Sequence, residues 1–470
     1  MSDPVSDSVG STSYLLERAW VDGAVRDGVR VEVEGGRFTS VEVVGQFPRL
    51  SAGETADKHR SHRPAGDSYA GSDAVRVPGL TIPGLANCHS HAFHRALRGR
   101  TQRERGTFWT WREQMYAVAG RLDPDSYFTL ARATYREMAA SGITAVGEFH
   151  YLHHQPDGRP YDDPNAMGLA LVEAAREAGI RISLLDTCYL SSGFGKPVEG
   201  AQVRYSDGSA GAWAERVARL GTREGVVVGA AVHSVRAVPR DQLRTVARAA
   251  HHRPLHVHLS EQVAENQACL EAYGRTPTQV LDEAGIPGPL TTVVHATHLT
   301  DDDIAVLGGW STHACFCPTT ERDLGDGIGP SRALHDAGAP LTLGSDSHAV
   351  IDLFEEMRAV ELDERLRTRS RGHWQAAELL AAGTGGHRSL GFDDAGLIEV
   401  GRRADLVTLD TSTPRTAGTG ADENTAVFAA SAEDVTQVMV DGRIVVRPGD
   451  RADVGRELDT AIGAIWKGME

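Results

Sequence analysis

Eight apolar, strand-like runs recur across the middle of this chain, and helical stretches separate most of them. The runs are Leu80–His91, Ile143–Tyr151, Arg181–Tyr189, Val226–Val235, Pro254–Leu259, Thr291–His298, His313–Thr319 and Leu341–His348. Helical segments such as Asp125–Ala140, Ala166–Ala178, Ala212–Leu220 and Arg240–Ala250 fall between them. Eight strands alternating with helices over more than ~250 residues predict an α/β chain of the (β/α)8 TIM-like barrel type. An open, doubly wound sheet is the alternative. A chain of 470 residues has room for such a barrel and an attachment.

The attachment is expected from the two ends. Residues 15–48 alternate apolar and polar side chains with glycine turns, as in Ala19–Gly23 and Val29–Arg37. The tail from Ile398 returns to the same texture, most clearly in Ala404–Asp410 and Val438–Val446. Three segments follow: 1–79, a central 80–397 and 398–470, with the outer two joined in one small β domain. Residues 51–73, polar and poor in large apolar groups, read as a surface loop.

Composition excludes several classes of function. Lys and Arg number 48 against 64 Asp and Glu, a formal net charge of −16. A nucleic-acid binder would carry a basic excess, and nothing in this balance steers anions toward the chain. An anionic substrate would need dedicated arginines. The five cysteines, at positions 88, 188, 269, 315 and 317, are too few and too scattered for a disulfide framework. Cys315 and Cys317 lack the second pair of a four-cysteine zinc site, so all five are expected as reduced thiols. No apolar run reaches the ~18 residues of a membrane span. The first residues have neither a basic nor an apolar leader region, so the expected compartment is the cytoplasm.

Polar residues gather at the strand ends, where a barrel of this type carries its chemistry. The first strand closes with His89-Ser90-His91, and residues two apart on a strand share a face. The fifth carries His256-Val-His258-Leu-Ser-Glu261, in which His258 lies nearer the mouth and His256 reads as a packed core residue. The sixth carries His295 and His298, and the eighth Asp346 and His348. His153-His154 and His251-His252 read as solvated loop residues. Three imidazoles and one carboxylate from separate strands suit Zn2+ with a position left for water; Fe2+ and Mn2+ remain alternatives.

These motifs resemble the amidohydrolase superfamily, and within it the deaminase branch with a single metal. That resemblance implies a β-sandwich built from the two chain ends, metal binding by His89, His91, His258 and Asp346, and a proton-shuttling role for Glu261. The segments His89–Leu97, Phe108–Tyr116, Glu148–His154 and His233–Arg236 are similar, more narrowly, to the formimidoylglutamate deiminase family. In that family the positions of Arg112, Tyr151, His233 and Arg236 contact the substrate. His94 is expected beside them, although the family pattern has Gln there. The implied activity is hydrolysis of N-formimino-L-glutamate to N-formyl-L-glutamate and ammonia in histidine breakdown, with a small dianionic substrate and a homodimeric enzyme.

The chemistry fits the residues. An amidine-like carbon needs a hydroxide at neutral pH, and bound Zn2+ lowers the pKa of its water to about 7. Asp346 can take the proton, His295 can hold the attacking oxygen, and Glu261 can deliver a proton so that neutral ammonia leaves. Two other readings compete. One is a deaminase of the same superfamily acting on a guanine- or triazine-like ring, with Phe108, Trp109 and Trp111 as stacking walls. The other is a non-catalytic barrel, which should have lost ligands or the proton shuttle.

Overall fold

A computed structural model describes residues 11–45, 47, 74–102 and 108–468. The loop expected over 51–73 lies outside the described residues.

Eight strands form one parallel sheet in sequence order: β1 (Leu85–Ser90), β2 (Ile143–His150), β3 (Arg181–Cys188), β4 (Val226–Val232), β5 (Leu255–Leu259), β6 (Thr291–His295), β7 (His313–Phe316) and β8 (Leu341–Leu343). The residues of β1, β2, β3 and β5 to β8 are all buried. Burial on both faces is why these strands read as near-continuous apolar runs rather than alternating ones. Just beyond β8, Asp346 N–H donates to the His89 carbonyl (3.0 Å), and its own carbonyl accepts from His91 N–H (3.2 Å). This bridge closes the sheet into a barrel and excludes the open alternative. Gly344 permits the approach, since a Cβ there would stand 2.7 Å from the Cβ of His89.

The helices follow local signals. Pro124–Ala140 starts on a capping box between Asp123 and Ser126, with proline in its first turn. Ala166–Ala178 stops at Gly179, whose φ of +80° suits glycine. The helix expected from Ala212 begins at Ala210, because the Ser209 side chain caps it by accepting from Ala212 N–H.

The first expected strand, Leu80–His91, is in fact two. Val75–Pro83 pairs in parallel with Thr12–Val21 and antiparallel with Leu406–Leu409, and β1 starts only at Leu85. The break falls at Gly84, where a Cβ would lie 2.3 Å from Thr144 Oγ1. Val75–Pro83 is thus the central strand of a separate seven-stranded sheet made by both chain ends. Leu16, Val29, Val31, Phe38, Leu406 and Met439 form part of its apolar core. Buried Arg181, opening β3, ties this sheet to the barrel by contacts to Asp405 and Asp441, both at 3.1 Å.

Candidate active site

His89, His91, His258 and Asp346 converge at the C-terminal mouth of the barrel, their candidate ligand atoms all within 4.8 Å of one another. His89 Nε2 and His91 Nε2 each stand 3.3 Å from Asp346 Oδ1, and His258 Nε2 stands 3.1 Å from His89 Nε2. Donor atoms about 2.0–2.1 Å from a shared tetrahedral zinc ion sit roughly 3.3–3.4 Å apart, so the spacing fits one divalent cation. His91 Nδ1 faces the Phe149 carbonyl (3.0 Å) and His258 Nδ1 the His233 carbonyl (2.9 Å). Each carbonyl accepts a hydrogen bond from Nδ1–H, which leaves the Nε2 lone pair for a cation. Burial holds all three imidazoles below their ordinary pKa, so they are neutral as ligands must be.

The backbone here is strained. Ser260, His295, Ala296, Asp346 and His348 all adopt left-handed φ, between +39° and +68°. Five such non-glycine residues at the ends of β5, β6 and β8 are what a site that over-determines its side chains looks like.

His295 lies beside this cluster, its Nε2 3.8 Å from Asp346 Oδ2. Its Nδ1 stands 3.3 Å from Glu321 Oε1. Burial pulls its pKa down, but Glu261, Glu321 and Asp346 outweigh that and hold it well above 6.5. Glu261 reaches the same cavity, and its pKa is raised chiefly by burial. Glu321 was not singled out from the sequence. It follows β7 on the helix Pro318–Leu324, is buried, and accepts from Cys317 N–H at 2.9 Å. A carboxylate three residues into a helix reads as an ordinary first-turn acid, and only the fold aims it at His295.

The cavity over the cluster is lined by the other expected residues: His94, Arg112, Tyr151, His233 and Arg236. His94 Nε2 and Tyr151 Oη are 3.1 Å apart. His233 packs edge-on against Tyr189 and His258, with ring centroids 4.6 and 5.1 Å away. Arg112, on the helix Phe108–Ala119, donates from Nε to Tyr116 Oη at 2.7 Å. Trp111 also lines the cavity; the side chains of Phe108 and Trp109 lie outside what is described.

Other histidines stay out of the cluster. His256 is core, its Nε2 3.1 Å from the Ser389 carbonyl. His298 faces the Asp326 carbonyl at 2.8 Å. His348 packs behind β1, between Ser90 Oγ (3.2 Å) and Ser345 Oγ (3.0 Å). His251 and His252 are exposed, as expected. His153 and His154 are not: both are buried, and the solvated reading is wrong for them. They belong to a buried ionic network in which Arg216 bridges Asp186 and Asp207 at 2.8–2.9 Å and His154 stands 3.2 Å from Asp207. Their neighbours in sequence gave no sign of this, because every partner comes from β3 or beyond it.

A model described as the amidohydrolase family matches residues 80–445. The chain is 39% identical over 397 residues to a formimidoylglutamate deiminase of Pseudomonas aeruginosa, covering 81% of this chain and 87% of that protein. It is 27% identical over 444 residues to a 5-methylthioadenosine/S-adenosylhomocysteine deaminase of Pelotomaculum thermopropionicum, covering 93% and 92%. Among solved structures, an amidohydrolase from Brucella melitensis superposes with a TM-score of 0.84 at 30% identity over 97% of this chain and 99% of that one.

Proposed function

This chain belongs to the amidohydrolase family, and we propose that it hydrolyses N-formimino-L-glutamate to N-formyl-L-glutamate and ammonia, a step of histidine degradation. The observation that carries this is the presence of both Arg112 and Arg236 in the cavity that opens on the His89, His91, His258 and Asp346 cluster. In a chain of net charge −16, two guanidiniums beside such a cluster suit a small dianion. The 39% identity to the Pseudomonas enzyme supports the same substrate.

The four-residue cluster would hold one divalent metal, with Zn2+ favoured by its three imidazoles and one carboxylate. When bound, such an ion acidifies a water to near neutrality and so supplies the nucleophile. Water adds to the formimino carbon, the bond from that carbon to the terminal nitrogen breaks, and the nitrogen leaves as ammonia. Asp346 accepts the proton given up by the water at its carboxylate. His295, charged among Glu261, Glu321 and Asp346, donates a hydrogen bond to the oxygen that adds. Glu261, whose raised pKa suits a proton carrier, delivers a proton to the departing nitrogen. Arg112 and Arg236 grip the two carboxylates through paired hydrogen bonds, and His94, Tyr151 and His233 orient the chain between them.

A second reading is favoured by the flat side chains of Trp111, Tyr189 and Tyr205 in the same cavity: a deaminase acting on an aminated ring. An ammonia-release assay on formiminoglutamate, guanine and a triazine decides between them. Turnover of a ring with none of formiminoglutamate would overturn the first reading. The non-catalytic alternative has no support, since the ligand set and Glu261 are all in place. No helix among the described residues is long and apolar enough to cross a membrane; we place the enzyme in the cytoplasm, as a homodimer to be checked by sedimentation.

A further inference from the structure

Gln202 sits on the short turn Gly200–Tyr205. Its amide oxygen accepts from Glu199 N–H (3.4 Å), which turns the NH2 group inward. One amide nitrogen then serves two phenols, donating to Tyr189 Oη at 2.8 Å and to Tyr116 Oη at 3.1 Å. Tyr116 Oη also accepts from Arg112 Nε at 2.7 Å. A phenol oxygen has two lone pairs, so Tyr116 is saturated as an acceptor and can act only as a donor toward anything further.

Tyr205 adds a third hydroxyl. The residue is 1% exposed, and its Oη is buried without a hydrogen-bond partner among the described residues. Its ring packs edge-on between Tyr151 and Tyr189, with centroids 5.1 and 5.4 Å away. Tyr116, Tyr189 and Tyr205 line the same cavity as Arg112 and Arg236. Orphaned buried hydroxyls are rare and call for an explanation. Burial raises the pKa of Tyr189 to about 12 and that of Tyr205 well above 10, so both keep their protons. Tyr116 therefore meets the cavity as a donor only, and Tyr189 and Tyr205 keep their own hydrogens to give. A carboxylate, which only accepts, can take all three.

We propose that Gln202 is a positioning residue for substrate selection: by donating to Tyr116 and Tyr189 it turns their hydroxyl hydrogens, beside the independent hydroxyl of Tyr205, onto one carboxylate of an acyclic amino-dicarboxylate substrate. This rests on the formiminoglutamate reading and extends it to residues that touch neither the metal cluster nor the formimino group.

The test compares three substrates with the metal-loaded enzyme: N-formimino-L-glutamate, N-formimino-L-alanine, which lacks the side-chain carboxylate, and N-formimino-4-aminobutyrate, which lacks the α-carboxylate. Tyr205→Phe and Gln202→Leu should each raise KM for formiminoglutamate by about 10–150-fold, the range for a hydrogen bond to a charged group, while kcat moves about threefold or less. On whichever single-carboxylate probe lacks the group that the wall holds, the rise in KM should shrink to about threefold or less. KM values that stay at wild type, or that rise equally on all three substrates, overturn the proposal. Should Gln202→Leu fail to fold, Tyr205→Phe and Tyr116→Phe decide the question by the same readout. A wild-type enzyme inactive on formiminoglutamate sinks the functional reading and this inference together; an active wild type with variants that do not discriminate sinks only the inference.

Discussion

His89 Nε2 and His258 Nε2 stand 3.1 Å apart, at the ends of β1 and β5. The His233 carbonyl accepts from His258 Nδ1–H, so the nitrogen that faces His89 carries a lone pair. Burial disfavours protonation of either ring. Two neutral imidazoles held this close, with Asp346 3.3 Å away, are spaced to share one cation.

The first prediction is therefore one divalent metal per chain in the purified protein, measured by elemental analysis. Its removal by a chelator should abolish turnover and lower Tm, since a ligand bound only to the folded state stabilises it. Asp346→Asn should bind the metal far more weakly. A ratio near two would indicate a binuclear centre, for which β4, lacking any lysine, offers no bridging group.

Glu261→Gln should fold, keep its metal and lose about 10²–10⁴-fold in kcat, the usual contribution of a general acid–base group. The amide preserves the shape but cannot take up and release a proton as a carboxyl does. Near-full activity with metal retained would take Glu261 out of the mechanism and leave Asp346 or His295 to move the proton.

Arg112→Gln and Arg236→Gln should each lower kcat/KM for formiminoglutamate by roughly 10–150-fold with the metal retained. Against a formimino compound lacking the carboxylate that each holds, the loss should be far smaller. Wild-type kcat/KM in both variants would favour the ring substrate.

The Arg216 network predicts a pH-dependent stability effect. Burial raises the pKa of Asp186 and Asp207, but Arg216, with His154 at Asp207, more than reverses this and holds both below the ordinary carboxylate range. Their stabilising contribution is thus present above about pH 4 and lost as pH falls further. Arg216→Leu leaves two buried carboxylates without their main partner and should cost about 3–5 kcal/mol at pH 7.5. In the variant their folded-state pKa rises above the unfolded value, so protonation stabilises the fold as pH drops. Urea denaturation at pH 7.5 and pH 5 should show a smaller deficit at the lower pH; an equal deficit at both would mean that the network is not ionic.

Much of the barrel was legible because it is local. Strand runs buried on both faces are continuously apolar, helix starts carry caps such as Asp123 and Ser209, and two histidines two residues apart on a strand must share a face. The same logic joined the two ends, since Ala404–Asp410 and Val438–Val446 alternate as Val29–Arg37 does. Tertiary structure alone decided the rest. Pro83-Gly84 marks a break inside Leu80–His91, but that the chain passes there from one sheet into another, with Thr144, 60 residues on, packed against Gly84, is decided by the fold. His153 and His154 look solvated until Asp186, Asp207 and Arg216 close over them, and Glu321 looks like an ordinary first-turn acid until β6 brings His295 beside it. Gln202 carries no motif at all, and its meaning lies in Tyr116 and Tyr189, which only folding sets within reach of one amide. Periodicity and capping are short-range and written residue by residue, whereas a hydrogen-bond partner is a neighbour in space, and the barrel decides which distant residues become neighbours.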